Sequence, residues 1–413
     1  MTAVGYLKTH EKSSCFGCEA CAQICPHSAI SMVPDEDGFR YPQVDALLCT
    51  DCGACLSVCP FDRPPERFTG QRTAFGGHHD DDSVLRESTS GGAFSAIAGE
   101  WIAGGGVVFG AVADGLSVYH KAARTVAEAS RFRSSKYAQS VIGSCYKEVR
   151  HMLAGGTRVL FSGTPCQIAG LRAFLGDRDT SGLLTVEVIC EGVPSPNYMR
   201  SLDSHLKSRF SSGIGSLNYR FKDGKRWDFE VMKITLQNGK QLKKDRWFSP
   251  FWKLWLSHLM SRPSCYGCPF ACRDRCADIS LGDLWGVHIY CPELYADNAG
   301  ASLVVCSTDK GRRALENTPM VGHPLDFESA VKYQSPLRGP IAKHPKSAVF
   351  LNDLRTLDYV LLIKKWYSGP SLRLLWSKYV WGNRPKVRLM KLSGRLRSAP
   401  PLQVLSKKDE NDA

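Results

Sequence analysis

Two cysteine runs decide the fold of this chain: C-F-G-C-E-A-C-A-Q-I-C-P at residues 15–26 and C-T-D-C-G-A-C-L-S-V-C-P at residues 49–60. Both have the spacing C-x2-C-x2-C-x3-C-P, so the second run repeats the first. Three thiolates at this spacing can wrap one iron–sulfur cube, while the fourth cysteine reaches a neighbouring cube. Pro26 and Pro60 then turn the chain away.

The repeated run resembles bacterial two-cluster ferredoxins, which implies two 4Fe-4S clusters that exchange their fourth ligands. Zinc and disulfides are the alternatives, but zinc sites usually show two C-x-x-C pairs instead of a triplet plus one. The predicted ligands are Cys15, Cys18, Cys21 and Cys59 for one cluster, and Cys49, Cys52, Cys55 and Cys25 for the other.

Length and composition require more than a ferredoxin. The chain has 413 residues, of which 43% are hydrophobic and 23% charged, as expected for a globular protein of two or three domains. Its 17 cysteines fall mostly in ligand-like groups, which indicates a reducing compartment. No apolar stretch resembles a signal peptide or approaches the roughly 18 residues of a membrane span. We therefore predict a cytoplasmic protein.

The positive charge is concentrated at the C-terminal end. Residues 361–413 contain 12 Lys and Arg against 3 Asp and Glu, a net charge of +9 out of +13 for the whole chain. Aromatic residues are interleaved with these charges. The tail could contact an anionic membrane or an acidic partner, or it could be a solvated helix that packs on the body through its aromatics. We predict no nucleic-acid binding, because no recognition motif accompanies the charge.

A Ser/Thr/Gly turn opens the next part of the chain. Ser88, Thr89 and Ser90 are capping residues, Gly91-Gly92 permits a tight turn, and a helix is predicted over 93–103. Such a turn presents backbone N–H groups and the positive end of a helix dipole to a phosphate. A polar run, Ser135-Lys136-Tyr137, follows in a predicted loop and by itself indicates only surface residues.

Two predicted buried strands are each followed by a cysteine. The strand at 159–162 leads through a Gly-Thr-Pro turn to Cys166 at a helix start, and LLTVEVIC ends in Cys190. The carboxyl ends of parallel strands share one edge of a sheet, which is where α/β folds bind ligands. A β-rich stretch over 212–247 is followed by a further group: Cys265, Cys268, Cys272 and Cys276. Cys291 and Cys306 carry no motif and are interpreted as structural or incidental.

Several motifs together resemble the coenzyme F420 hydrogenase/dehydrogenase beta-subunit family, in a long form with an N-terminal ferredoxin domain. They are STSGGAFSAIA, SSKYAQS, VLFSGTPCQIAGL, ICEGVPSP, RPSCYGCPF and ADISLGDLWG, between residues 88 and 286. The resemblance implies FAD in an α/β body, with Ser88, Thr89, Ser90, Gly91, Gly92, Ser135, Lys136 and Tyr137 as flavin-pocket residues.

The same resemblance implies a third 4Fe-4S cluster held by Cys166, Cys190, Cys265 and Cys268. One departure from the family leaves an alternative, because Cys272 and Cys276 could join Cys265 and Cys268 in a self-contained local site. The predicted fold is α/β (α+β): a two-cluster ferredoxin-like module at 1–66, an α/β flavin-binding body at 67–150 and 151–330 with a β-rich insertion, and a basic helical C-terminal extension at 331–413.

The predicted cofactors imply an iron–sulfur flavoprotein oxidoreductase. Clusters carry single electrons, whereas a flavin can pass on two to an organic acceptor. Electrons would run from the ferredoxin clusters through the third cluster and flavin to coenzyme F420 or another reducible molecule. Lys136 is the candidate catalytic residue, which would stabilise negative charge on reduced flavin. The alternative is an electron-transfer subunit without its own substrate, serving a partner such as an enzyme of polysaccharide biosynthesis. In either case a redox protein is the expected partner.

Overall fold

A computed structural model describes residues 5–222, 224, 227–295, 298–382, 385, 388–389, 392–393 and 402–405. Its strands are β1 Ile30–Pro34, β2 Arg40–Val44, β3 Thr73–His79, β4 Val107–Asp114, β5 Ser117–Ala123, β6 Val159–Gly163, β7 Leu183–Val188, β8 Ile214–Phe221, β9 Val231–Leu236, β10 Gln241–Lys244, β11 Ile279–Asp283, β12 Ser302–Cys306, β13 Met320–Leu325 and β14 Gln403–Leu405.

The α-helices are α1 Tyr6–Thr9, α2 Ala20–Ile24, α3 Ala54–Ser57, α4 Asp82–Glu87, α5 Ala93–Ala103, α6 Val126–Ala129, α7 Cys145–Ala154, α8 Pro165–Leu175, α9 Pro196–Phe210, α10 Pro250–Leu256, α11 Val287–Tyr290, α12 Asp309–Glu316, α13 Phe327–Lys332, α14 Ser347–Thr356, α15 Tyr359–Trp366 and α16 Leu372–Leu375. None of the helices in these described ranges is long and apolar enough to cross a bilayer.

The N-terminal module is built around one hairpin. Strands β1 and β2 pair antiparallel, and their turn forms because the carboxylate of Asp35 accepts from the backbone N–H groups of Asp37 and Phe39. Gly38 completes the turn at φ 84°. The hairpin thus joins the two cysteine runs through an acidic turn.

The body contains a nine-stranded mixed sheet in the order β14-β13-β3-β12-β11-β7-β6-β4-β5. Strands β4, β6, β7 and β11 run parallel at its centre, and the outer pairs are antiparallel. Their apolar residues are buried on both faces, as parallel strands covered by helices require. Strands from both predicted body segments, 67–150 and 151–330, lie in this one sheet. The predicted α/β class is confirmed.

The β-rich insertion is also confirmed. Strands β8, β9 and β10 form a separate antiparallel sheet, whose apolar face packs with α9, α10 and α14 in one core. Trp252 and Trp255 of α10 are 1% and 3% exposed and belong to this core.

The module shares a hydrophobic core with the body. Phe16 and Cys18 pack with residues of α7 and α8, and the contact is so close that a Cβ added to Gly170 would lie 2.8 Å from the Cβ of Cys18. A glycine on α8 is therefore needed to seat the first cysteine run.

The start of the C-terminal extension packs on the body through aromatic side chains. The Tyr367 hydroxyl donates to the carbonyl of Trp247 in the body over 3.1 Å, and within the extension itself Trp366 donates to Asp353 over 2.7 Å. Trp376 is 61% exposed. Most of residues 383–413 lie outside the described residues, so the predicted helical tail stays a prediction there.

Candidate redox site

The eight N-terminal cysteines lie on two loops with the same backbone pattern. In each loop a left-handed residue precedes the helix that carries the third cysteine: Glu19 at φ 66° before α2 and Gly53 at φ 71° before α3. The Gly17 N–H points at Cys15 Sγ over 3.4 Å, and the Ala29 N–H at Cys25 Sγ over 3.3 Å. Backbone N–H groups aimed at sulfur favour the thiolate form that binds iron.

The fourth cysteine of each run lies beside the first three of the other. Burial raises the pKa of Cys21 most, and the charges of Cys15 and Cys59 raise it further. Burial is likewise the main cause of the raised pKa of Cys55, and among the neighbouring thiols the charge of Cys25 raises this pKa most. This crossed proximity suits the predicted ligand exchange. Cys49 and Cys52 are exposed, so this end of the module faces solvent.

The cysteines predicted for the third cluster come together from three places in the sequence. Cys166 is in the first turn of α8, directly after β6, and Cys190 follows β7. Because β6 and β7 are parallel neighbours, both thiols lie at the carboxyl edge of the sheet. They line one small cavity together with Cys265 and Cys268. Burial raises the pKa of Cys190 most, and the charges of Cys265 and Cys166 add to it.

Cys272 and Cys276 do not line that cavity. The Cys272 thiol donates to the carbonyl of Asp274 over 2.9 Å, and Cys276 is 2% exposed within the core shared with α8. Cys272 still lies near Cys268. Burial is the main cause of the raised pKa of Cys268, and the charge of Cys272 adds a smaller increase. The geometry thus groups the two strand-end thiols with the C-x-x-C pair.

Arg262 joins the first cysteine run to the third cysteine group. Its guanidinium is 1% exposed and lines the same small cavity. It donates to the carbonyl of Cys15 over 2.9 Å, to the carbonyl of Arg40 over 3.0 Å and to the Gln139 side chain over 3.2 Å. The Tyr41 ring lies 4.4 Å away. No carboxylate forms an ion pair with Arg262 within the described part of the chain, so this charge suits the neighbourhood of anionic clusters.

A larger cavity of about 540 Å³ lies beside the third group, and Cys190, Gly192 and Val193 line both cavities. Its size is in the range of small-molecule sites. Seven of the eight predicted flavin-pocket residues line it: Ser88, Thr89, Ser90, Gly92, Ser135, Lys136 and Tyr137.

Gly91, the eighth predicted flavin-pocket residue, does not line this cavity and packs against the neighbouring strands instead. Its N–H donates to the Ser302 hydroxyl over 2.9 Å, and an added Cβ would lie 2.3 Å from the carbonyl oxygen of Gly77. Gly92 caps α5 at φ 85°. The turn thus directs the start of α5 toward the cavity, while its hydroxyls mostly bond within the protein, as Ser90 does with the carbonyl of Ala301 over 2.6 Å.

Lys136 and Tyr137 form another wall of the cavity. The Lys136 ammonium donates to the carbonyls of Arg131, Phe132 and Arg133 over 3.2, 2.8 and 2.7 Å, and burial lowers its pKa to about 7. The Tyr137 ring meets the rings of Trp252 and Trp255 edge-on at 4.9 and 4.8 Å. These two core tryptophans therefore also line the cavity.

Two buried ion pairs at the carboxyl edge were not predicted. Arg220 pairs with Asp283 at the end of β11 and lies against the stacked rings of Trp227 and Trp285. Arg275 pairs with Glu187 at the end of β7. The sequence does contain a signal for them. The strand-like stretches LLTVEV and ISLGD each carry one acidic residue, and a charge that is buried in a strand needs a charged partner.

A hydrogen-bond chain runs from the cavity wall to Cys166. The Ser140 hydroxyl is 2.9 Å from His120 Nδ1, Gln167 donates to Ser140 over 3.0 Å, and the Thr164 hydroxyl is 3.2 Å from Cys166 Sγ. His120 Nε2 is 2.7 Å from the carbonyl of Ser162. Burial lowers the His120 pKa to about 4, so this imidazole is neutral at physiological pH.

Residues 156–323 match the C-terminal region of the family described as "Coenzyme F420 hydrogenase/dehydrogenase, beta subunit". Residues 14–63 match the "4Fe-4S dicluster domain". The predicted resemblance to this family is confirmed over these residues. A chain of the F420-reducing [NiFe] hydrogenase complex from Methanosarcina barkeri has 18% identity and a TM-score of 0.40, over 72% of this chain and 91% of that one.

Curated relatives match this chain only over short segments. NADH-quinone oxidoreductase subunit I 2 of Geobacter metallireducens is 35% identical over 60 residues, which are 13% of this chain and 45% of that protein. The uncharacterized polyferredoxin-like protein MJ1302 of Methanocaldococcus jannaschii is 36% identical over 61 residues, 13% of this chain and 36% of that protein. The chain thus spans less than half of each. Together with the family matches, they establish an iron–sulfur electron-transfer protein.

Proposed function

We propose that the chain is an iron–sulfur flavoprotein that passes electrons from two ferredoxin-type clusters, through a third cluster and FAD, to coenzyme F420 or another reducible organic molecule. One observation carries the proposal: the cavity suited to a flavin and the cavity lined by Cys166, Cys190, Cys265 and Cys268 share a wall. A flavin there would supply the exchange between single electrons and electron pairs.

The donor sets fit these groups. Four thiolates are the ligands of a 4Fe-4S cluster, and Cys166, Cys190, Cys265 and Cys268 would hold the third one. The start of α5, after Gly92, faces the large cavity and suits a phosphate group of the cofactor. The aromatic wall of Tyr137, Trp252 and Trp255 suits a planar ring.

Arg262 contributes both position and charge. It fixes the loop of Cys15 against the wall of the third group, so electrons can pass over a short, constant distance. Its unpaired positive charge favours the reduced, more negative state of a cluster on either side. Phe16 packs in the core that the module shares with the body and lines the small cavity of the third cysteine group. Its ring therefore fills the space between the first and third groups and excludes water.

Lys136 holds positive charge at the large cavity. Its carbonyl partners orient the amine, and its lowered pKa lets it exchange a proton near neutral pH. We propose that it offsets negative charge that develops on a reduced cofactor. Glu191 follows β7, is partly exposed and also lines the cavity. We propose that an acceptor enters the cavity beside this side chain.

A protein that donates electrons is the proposed partner, and the solvent-facing end of the module at Cys49 and Cys52 is its proposed contact. The 17 cysteines, most of them in ligand-like groups, suit a reducing compartment, and we propose that the protein is cytoplasmic. The basic tail is proposed to contact an anionic surface. The alternative function is a carrier without its own substrate that serves a partner enzyme. The curated relatives, a subunit of a quinone oxidoreductase and a polyferredoxin-like protein, support this alternative.

Anaerobic purification followed by iron, sulfide and flavin analysis tests the proposal. About twelve irons and one flavin per chain are expected from three four-iron clusters and one cavity. About eight irons without flavin would reject it in favour of the carrier. Reduced protein should then reduce F420 in a stopped-flow assay, and failure with F420 but turnover of another organic acceptor would redirect only the choice of substrate.

A further inference from the structure

We propose that Cys291, Glu293 and His323 form a zinc site separate from the redox centres. Cys291 follows α11, and Glu293 lies two residues later in a 3-10 turn, Pro292–Tyr295. His323 comes from β13, where it pairs with Gly76 of β3. Two distant parts of the chain thus meet in one side-chain cluster, which the sequence interpretation of Cys291 as structural or incidental did not foresee.

The three candidate ligand atoms face one another closely. Cys291 Sγ lies 2.7 Å from His323 Nε2 and 3.2 Å from Glu293 Oε1, and Nε2 lies 3.4 Å from the same oxygen. Ligand atoms around tetrahedral zinc are about 3.2–3.8 Å apart, given bonds of about 2.0–2.3 Å. Each side chain would need to move by less than about 1 Å to admit the ion.

Burial and charge both favour a divalent cation. Cys291 is 0% exposed and His323 is 3% exposed, so a thiolate or carboxylate here needs a positive partner. Zinc with one thiolate, one carboxylate and one neutral imidazole makes a site of zero net charge. Sulfur and nitrogen donors suit zinc and do not suit magnesium or calcium, which prefer oxygen. A single cysteine at this place is too few for a 4Fe-4S cluster, which takes four thiolates.

The surroundings provide an entry path and a purpose. The Glu293 side chain is 29% exposed, so the ion can enter from that side and keep a water as its fourth ligand. Asp283 at the end of β11 and Trp285 in the turn that follows both line the large cavity. Trp285 packs in the same core as Cys291. Zinc would therefore pin the turn that forms one wall of the cavity to strand β13.

Metal analysis of the full-length protein tests the site. Protein produced in zinc-supplemented medium should contain about one zinc per chain, besides its iron. Cys291→Ser and His323→Gln should each lower zinc at least tenfold while iron stays unchanged. Cys306→Ser is the matched control, because Cys306 is also buried, at 1% exposure, on the adjacent part of the sheet but belongs to no such cluster.

Wild-type protein with less than about a tenth of a zinc per chain would overturn the inference, as would equal zinc in all three variants. If the variants do not fold, a chelator-treated wild-type sample replaces them: added Zn²⁺ should raise its melting temperature, and no rise would overturn the inference. Iron and flavin contents are measured on the same samples, so the redox proposal and the zinc proposal fail separately.

Discussion

The N-terminal clusters and the third cysteine group use the same ligand type but are assembled differently. Eight cysteines between residues 15 and 59 form the first two groups, and each loop carries its own left-handed turn. The third group gathers Cys166 and Cys190 from neighbouring strand ends and two more thiols from a distant turn. Local spacing determines the first kind of site, whereas the second exists only when the parallel sheet has formed. The second kind should therefore be the more sensitive to distant substitutions.

The largest expected effect comes from Cys166→Ser, which removes a ligand of the assembled group. The variant should lose about four irons per chain and keep about eight, because the two N-terminal groups do not depend on this residue. Iron and sulfide analysis measures the loss. Cys276→Ser should keep the full iron content, and a loss of four irons there instead would favour the local site of Cys265, Cys268, Cys272 and Cys276.

The sequence predicted both kinds of site, but for different reasons. The eight N-terminal cysteines follow from spacing alone. Cys166 and Cys190 followed from the rule that parallel strand ends share an edge, and the observed β6–β7 pairing explains why that rule succeeded. Arg262 was missed because its partners, Cys15, Arg40 and Gln139, are all far away in sequence. No local pattern marks such a residue, and the same applies to the pairing of Arg220 with Asp283.

The next largest effect is expected for Arg262→Gln, which cuts the connection between the two kinds of site. The substitution removes donors from the carbonyls of Cys15 and Arg40 in a buried place, at a cost of about 3 kcal/mol. Melting temperature should fall, and the potential of the third cluster should become more negative in a redox titration followed by EPR. Arg313→Gln, at an exposed arginine of α12 that lines neither cavity, should leave both unchanged. An unchanged potential would show that Arg262 is only a structural contact.

Acid should damage the assembled group before the local ones, because His120 belongs to the hydrogen-bond chain that ends at Cys166. Its folded pKa of about 4 lies below the unfolded value of 6.5. The unfolded chain therefore binds the extra proton first, and stability falls as the pH drops from 6.5 to 4, by up to about 3 kcal/mol. Melting curves of wild type should show this decline, and His120→Gln should flatten it. A decline of the same size in the variant would contradict the assignment.

A smaller effect is expected at the glycine turn of the large cavity. Gly91→Ala places a Cβ 2.3 Å from the Gly77 carbonyl, so the turn must shift, at a cost of about 2 kcal/mol, and flavin content should fall. Gly99→Ala, in the helix α5 that follows this turn, is the control: nothing lies within 4 Å of its Cβ, and alanine should stabilise α5 by up to about 1 kcal/mol. Both changes are measured by melting temperature and by flavin absorbance. Equal flavin content in the two variants would contradict a role for the turn.

The buried guanidinium of Arg262 also limits how this protein can be modified or recombined. Without residues 1–66, the carbonyls of Cys15 and Arg40 and the ring of Tyr41 would disappear, and a fully charged side chain would be left on the newly exposed surface beside the third group. The N-terminal module is therefore not an exchangeable cassette. A shortened protein, or a fusion to a different electron donor, would have to supply new acceptors for the guanidinium at position 262 and new cover for the apolar residues that pack against Phe16 and Cys18, if its third site is to stay closed to water.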